Sequence, residues 1–578
     1  MSNSPNSKYQ LWPQMVVCYL MLWGLLFFGL AHLTWTWGEE PSWGSFDMHF
    51  SSIKHAFWLL FPIKSTDGWY QYWYLLDEYD LRTKFYIHVS LPFVIASIFA
   101  YYLTKKLLWV KGGRENVIHI KGPKLYQGKL ATKHAASNHK KDLRRDKRAL
   151  DGIKVHPQVT ISSSREQTNF LVLGTTGAGK SMVVKPMLNA IISRGDSALI
   201  FDEKKEYTRS FYHENSTVLI APWDSRGTQW FISGDVLTQQ DAYLIANCLI
   251  PTNKSKDQMW VKGARLIFVG MLVSLIGQRK PWGWVELAKL LSLPQEDMLV
   301  KLKRYFPIAN SFIVEKSKTT QGFYVNLIAE LSWLEALAAA WPNIDSKGFS
   351  IKKWVGKQTD KKTIIIQSDS RYEAIGAPLC NALISLMTRY YLAQSDDETR
   401  NTWLVIDEAA NLPVNPMLLK WLELARSKGA RSIISTQSIS RLVDLYSQNN
   451  TDAMLNLLST VISLRIGPAG EDARHTAKIF GERIVERPSS LEPNSHWQRN
   501  KEPLVEEFEL TQLKPAGWQG VNGYLFIPGW NATYKLRWPL FSSVSVAKEH
   551  IPAAWVSKQK SIQVREKKNR LTKRTPKC

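Results

Sequence analysis

The chain opens with two long stretches from which charged positions vanish. Met15–Thr34 holds twenty residues without Asp, Glu, Lys or Arg, and Phe85–Leu103 holds nineteen more. At 1.5 Å per residue, each can cross a hydrocarbon core of about 30 Å as a helix. Trp12, Trp35, Trp37, Tyr101 and Tyr102 flank them, where amphipathic rings favour a membrane interface. Pro92 lies inside the second stretch and is tolerable in a membrane helix. The first is expected to be a retained anchor rather than a cleaved leader. Its apolar run is long, only Lys8 precedes it, and no small-residue cleavage site follows. Lys105, Lys106, Lys111 and Arg114 follow the second span, whereas Trp35–Lys84 has few basic residues. Basic residues stay inside, so both termini are expected in the cytoplasm and the intervening loop outside.

Beyond residue 110 the pattern changes to short apolar runs separated by helix-length segments. The runs are "FLVL" from Phe170, "ALIFD" from Ala198, "TIIIQS" from Thr363, "TWLVID" from Thr402, "RSIISTQS" from Arg431 and "VISLRI" from Val461. This alternation predicts an α/β fold with a parallel sheet. From about Thr238 to Trp341 only helical patterns appear, as in "GARLIFVGMLVSLIG", which reads as an inserted all-α domain. The expected organisation is a membrane anchor over 1–110, with spans near 15–34 and 85–103 and an external loop over 35–84. A basic juxtamembrane linker follows over 111–160. The nucleotide-binding domain covers 161–237 and 343–550, the all-helical insertion 238–342, and a basic, disordered tail 551–578.

Gly174–Ser181 reads "GTTGAGKS", between a short apolar strand and a helix-forming run. This fits the P-loop pattern. Gly174, Thr175, Thr176, Gly177, Ala178, Gly179, Lys180 and Ser181 are the candidate ATP-binding residues, because a glycine-rich turn lets backbone amides curl round phosphates at a helix N-terminus. Lys180 would reach the terminal phosphates and Ser181 would ligate Mg²⁺. A strand ending in acids is needed next, and Thr402–Ile406 ends at Asp407 and Glu408. Asp407 is the second candidate Mg²⁺ ligand, and Glu408 the candidate to activate attacking water. Asp202 and Glu203 also end a strand, and Asp202 reads as a structural or supporting acid. Thr436 and Gln437 end another. Gln437 there can sense a γ-phosphate or position water, or it can simply cap the strand.

Composition adds a charge asymmetry. The 578 residues carry a net charge of +24, enough length for two to four domains. Residues 105–154 hold 15 Lys/Arg against 4 Asp/Glu, and 555–578 hold 9 against 1, so these flanks supply +11 and +8 of the total. Such charge can set topology and bind anionic lipid, or contact nucleic acid directly. Cys18, Cys248, Cys380 and Cys578 lie far apart, with neither metal spacing nor a disulfide framework. A membrane-bound AAA protease is excluded by the lack of a His-Glu-x-x-His motif.

Taken together, these motifs resemble the type IV coupling proteins of conjugation. The likeness rests on the P-loop, on "IAPWDSRGTQW" with its Pro222, Asp224 and Arg226, on "WLVIDEAANLP", on "ARSKGARSIISTQSISRLVDLY" and on "NGYLFIPGWNATYKLRWP". It implies a RecA-like P-loop domain behind two transmembrane helices, assembled as a homo-hexamer in the bacterial inner membrane with its bulk in the cytoplasm. It also implies that ATP and Mg²⁺ drive DNA, single-stranded with attached relaxase, into a type IV secretion channel. Arg426 lies nineteen residues past Asp407, where the family places an arginine that reaches the neighbouring subunit's nucleotide. A solvated arginine at a helix end is the plainer alternative. Some members carry an acidic tail that docks accessory DNA-binding proteins, whereas the basic "VREKKNRLTKRTPKC" is expected to meet DNA, anionic lipid or an acidic partner instead. Two other functions remain open: a coupling ATPase for protein substrates, and a membrane scaffold with a regulatory ATP site.

Overall fold

The computed structural model describes residues 7–36, 46–56, 67–108, 118–147, 149–250, 258–314, 317–468, 471–488, 497–542 and 545–556. Two units partition the chain, one of residues 1–122 with 482–502, the other of 123–481 with 503–578. In chain order the strands are β1 (Ile118–Lys121), β2 (Lys124–Gln127), β3 (Asp151–His156), β4 (Val159–Ser162), β5 (Phe170–Leu173), β6 (Ser197–Asp202), β7 (Thr217–Ile220) and β8 (Thr363–Gln367). They continue as β9 (Thr402–Ile406), β10 (Ala430–Thr436), β11 (Thr460–Ser463), β12 (Glu482–Pro488), β13 (Trp497–Pro503), β14 (Val521–Phe526) and β15 (Ala532–Trp538).

In the first unit, helices Ser7–Thr36 and Arg82–Leu108 pack along each other. Trp23 stacks on Phe27 at 5.2 Å, meets Phe93 edge-on, and donates through Nε1 to Ser97 Oγ at 3.0 Å. Leu25 and Ile98 remain 75 % and 61 % exposed, as expected where the surroundings are lipid rather than water. Both helices are apolar and long enough to cross a membrane. The segment expected as an external loop contains two helices, Phe46–Ala56 and Asp67–Glu78. Trp69, Tyr72 and Trp73 gather round Phe85, and the Tyr72 hydroxyl lies 2.6 Å from His49 Nδ1. A small sheet in the order β1-β12-β13 completes this unit.

The second unit is built on a sheet in the order β2-β15-β14-β11-β5-β10-β9-β6-β8-β7. From β11 to β7 all pairings are parallel, while β14 runs antiparallel to both β11 and β15. Alternate side chains of one strand enter opposite faces. Thus Leu171 and Leu173 of β5 join one core, and Phe170 and Val172 the other. Both faces are covered, so these strands read as unbroken apolar runs.

Two expected boundaries give way here. The linker over 111–160 is folded from residue 118 onward: β2 pairs with β15 at the sheet edge, helix Gly128–Arg145 follows, and β3 and β4 form a hairpin. Its high basic content hid the short alternation around Leu125 and Tyr126. Glu482–Pro488 and Trp497–Pro503, expected within the nucleotide-binding domain, instead form β12 and β13 beside β1.

Between Gln239 and Ala340 the described residues form helices and no strand. Helix Gln258–Gly277 is apolar enough to pass as a membrane span, yet ten of its residues are buried in this unit's core. Gly263 and Gly270, seven residues apart, leave room for Phe323 and for Leu302, which an added Cβ would strike. The turn at Pro222–Arg226 has a clear task. Buried Asp224 accepts from Arg226 Nε and Nη2 at 2.9 and 2.7 Å and from the amide of Ile551 at 3.0 Å. It thereby ties down segment 545–556. The basic tail beyond it, 557–578, lies outside the described residues.

Candidate phosphate-binding site

The loop after β5 is held by the strands on either side. Gly174 N donates to Thr436 O at 3.3 Å, and Thr175 donates to Arg465 O through N at 2.9 Å and Oγ1 at 3.2 Å. Gly177 and Gly179 take φ of +74° and +98°, a left-handed geometry that favours glycine. At Gly179 a Cβ would also collide with Val521. The helix then starts at Lys180 and runs to Arg194. Its first turn and the loop form one wall of a cleft of about 240 Å³. Thr175, Thr176, Gly177, Gly179, Lys180, Ser181 and Met182 line this wall, opposed by Asp407 and Glu408 from the end of β9, by Lys204 and Glu206 after β6, and by Ala516. Free amides at a helix N-terminus beside two ammonium groups make a receptor for phosphate.

Lys180 is 8 % exposed. Its Nζ donates to Gly174 O at 2.8 Å and lies 3.4 Å from Glu408 Oε2. Burial lowers the Lys180 ammonium from its ordinary value, and Glu408 opposes that shift. The other Glu408 oxygen, Oε1, accepts from Thr436 Oγ1 at 3.0 Å and from the amide of Gln437 at 3.1 Å. Gln437 Oε1 in turn accepts from Thr176 Oγ1 at 2.7 Å. The P-loop, the acid of β9 and the end of β10 are therefore one hydrogen-bonded unit.

Among the described residues, the Asp407 carboxylate accepts only from the Tyr207 hydroxyl, at 3.3 Å. Burial first, and then the charge of Asp202, push its carboxyl up to about 7. Asp202 itself is fully buried and raised by that burial to about 6, although Thr208 donates to Oδ2 through N at 2.6 Å and Oγ1 at 2.7 Å. Such an under-compensated carboxylate, facing a cleft that the Ser181 hydroxyl also lines, fits a divalent cation. The shift has a stability consequence with a definite sign. The folded Asp407 holds its proton more tightly than the unfolded chain, whose value is near 3.8. Its contribution is fully present below about pH 4 and is lost as pH rises through about 7. Asp407→Asn is therefore expected to raise the melting temperature of the nucleotide-free protein by several degrees at pH 8, and to change it little at pH 4.5. Thermal unfolding at the two pH values checks this.

Asp202 and Glu203 both lie away from the cleft, Asp202 in the structural position its sequence context suggested. Asp202 caps the helix beginning at Glu206, and Glu203 pairs with Asn411. Lys204 and Glu206 line the cleft instead. The signal was present in "FDEKKEY", but which residue after a strand turns inward is set by the loop. Gly174 and Ala178 shape the loop from behind: Gly174 O accepts from Lys180, and Ala178 is buried. Arg426 is not brought to this cleft. It precedes β10, whereas Thr436 ends that strand at the cleft. The seven residues of β10, at about 3.3 Å each, put its two ends about 20 Å apart, and Arg426 lies beyond the end away from the cleft. Arg426 is exposed and makes no side-chain hydrogen bond among the described residues.

Residues 154–516, more than half of the chain, match the family described as the type IV secretion-system coupling protein DNA-binding domain. The chain belongs to this family. It is 27 % identical over 325 residues to the coupling protein TraD of Escherichia coli (strain K12), an alignment covering 55 % of this chain and 44 % of TraD. The chain thus spans less than half the length of that curated relative. Among solved structures, it is similar to the unbound monoclinic form of the bacterial conjugative coupling protein TrwBdeltaN70. The TM-score is 0.65 at 18 % identity, covering 76 % of this chain and 99 % of that one. It is also similar to the plasmid coupling protein TrwB in complex with ADP and Mg²⁺, with a TM-score of 0.64 at 19 % identity, covering 77 % and 100 %. As a coupling-protein family member, the chain has the P-loop α/β fold with a helical insertion, preceded by two apolar helices.

Proposed function

We propose that this coupling protein is a membrane-anchored ATPase. It joins a relaxase–DNA complex to a type IV secretion channel and drives the DNA, single-stranded, through a homo-hexamer during conjugation. The observation that carries this reading is the Lys180–Glu408 pair inside a P-loop cleft of the coupling-protein fold. Two charges buried together are stable only while each has its partner. A triphosphate entering the cleft offers Lys180 a stronger partner and takes it from Glu408. Glu408, still held by Thr436 and Gln437, is then free to accept a proton from water. Ser181 and Asp407 would hold Mg²⁺, which supplies charge neutralisation of the phosphates. Gln437 reports occupancy of the P-loop through Thr176. Arg426, on the far edge of its own sheet, serves the nucleotide of the neighbouring subunit. The two apolar helices fix the assembly in the inner membrane as a two-span protein, with the bulk of the chain in the cytoplasm.

The deciding experiment measures ATP hydrolysis by the full-length protein in lipid nanodiscs, with and without single-stranded DNA. Stimulation by DNA supports the DNA motor. Hydrolysis stimulated only by a protein substrate would favour export of proteins, and conjugation without turnover would favour a scaffold.

The basic tail gives a separate prediction. Residues 557–578 carry 9 Lys/Arg against 1 Asp/Glu. If they touch DNA, their removal lowers the slope of log affinity against log salt by about 0.7 for each phosphate that the tail neutralises. An unchanged slope in a fluorescence-anisotropy titration assigns the tail to lipid or a protein partner.

A further inference from the structure

Trp518 is 86 % exposed, although tryptophan is among the side chains most favoured by burial. It makes no hydrogen bond or ring contact among the described residues. Nor does it sit on a wandering loop. Gly517 and Gly520 exchange backbone hydrogen bonds at 3.3 and 2.8 Å, so Trp518 and Gln519 form the tip of a two-residue turn. Gly520 has φ of +107° and lies against the Trp538 carbonyl, which locks the turn to the end of β15. The turn is equally fixed to the phosphate loop. Ala516 lines the phosphate cleft, and Gly179 of the P-loop packs on Ala516 and Val521.

We propose that Trp518 stacks on the base of the nucleoside triphosphate whose phosphates occupy the P-loop cleft. The inference rests on the nucleotide reading given above and adds to it the group that recognises the nucleoside. Trp518 is two residues beyond Ala516, so their Cα atoms are at most about 7 Å apart. Met182 follows Lys180 and Ser181 in the wall of the phosphate cleft. Met182 also lines a second, mostly apolar cavity of about 410 Å³, together with Pro186 and Trp538–Phe541. Trp538 is the cross-strand partner of Val521, so this apolar wall and the Trp518 turn stand at the same end of the β14–β15 hairpin. A flat aromatic base finds an apolar wall and an uncovered indole there. Stacking on a π-face reads no hydrogen-bond pattern, so the site accepts adenine and guanine with little discrimination.

The test compares Trp518→Ala and Trp518→Phe in the full-length protein, with ATP and with inorganic tripolyphosphate, which has no base. Trp518→Ala is expected to raise the KM for ATP about tenfold. It should leave kcat and inhibition by tripolyphosphate unchanged, and Trp518→Phe should restore most of the KM. An equal loss of tripolyphosphate binding would show a distorted phosphate loop and overturn the proposal. An unchanged KM would overturn it too. Loss of single-stranded DNA affinity alongside that result would assign the ring to nucleic acid, and loss of the oligomer would assign it to a subunit contact. If the wild-type protein bound neither ATP nor tripolyphosphate, the nucleotide reading itself would fail, an outcome distinct from every effect of the Trp518 variants.

Discussion

Glu408→Gln is expected to bind ATP normally and to hydrolyse it about 10²–10⁴-fold more slowly, the contribution typical of a lost general base. The amide keeps an acceptor for Thr436 and Gln437, whose bonds to Oε1 measure 3.0 and 3.1 Å, so the fold around β9 and β10 should survive. It loses the charge that faces Lys180 at 3.4 Å. Lys180, already lowered by burial, is then released more readily to phosphate, so affinity for ATP should hold or rise while turnover falls. Lys180→Ala behaves differently. It removes the cation that meets the phosphates and leaves Glu408 buried without its ion-pair partner. ATP binding, hydrolysis and DNA transfer should all be lost, and the melting temperature should drop. Equilibrium ATP binding, single-turnover hydrolysis and mating assays on both variants separate binding from chemistry. Normal DNA transfer by either variant would sink the motor mechanism.

Arg426→Ala is expected to lower hydrolysis by about 10³–10⁵-fold, the range of an arginine finger, with ATP affinity unchanged. A surface salt bridge contributes only about 0–1 kcal/mol, so the plainer reading of a solvated arginine predicts almost no effect. The surrounding contacts suit an arginine presented to a neighbour. Its segment is braced by Ser427 Oγ and Lys428 Nζ, which donate to Asp396 Oδ1 at 3.0 and 2.9 Å, and by Tyr391 Oη, which donates to Lys428 O at 2.7 Å. A braced loop loses little conformational entropy when its arginine engages a phosphoryl group. Mixing Arg426→Ala with Lys180→Ala subunits tests the assignment. Some interfaces then pair an intact P-loop with an intact Arg426, and partial hydrolysis should return. A mixture that assembles yet stays inactive would show that Arg426 does not act on a neighbouring site.

Features in which chemistry and chain neighbourhood coincide were legible along the chain. A P-loop is a strand, a turn and a helix in direct succession, so Phe170–Ser181 announces its geometry without help from distant residues. Asp407 and Glu408 were legible because they end a buried run, and the two long apolar helices because about twenty residues without a charge are enough to fill a hydrocarbon core. Whatever depends on which strands lie side by side emerged only on folding. β10 pairs with both β5 and β9. Only that adjacency lets Thr436 and Gln437 clasp Glu408 and join it to Thr176, across 28 to 261 positions of chain. The parallel direction of β10 sends Arg426 to the edge away from its own cleft, which no local pattern encodes. Edge placement of β2 concealed a folded strand within a basic segment. The pairing of β12 and β13 with β1 moved residues 482–502 out of the domain that their position suggested. In each case the physical reason is the same. Periodicity records which face of an element is buried, whereas sheet order is set by hydrogen bonds between strands far apart in the chain, and those leave no mark on local sequence.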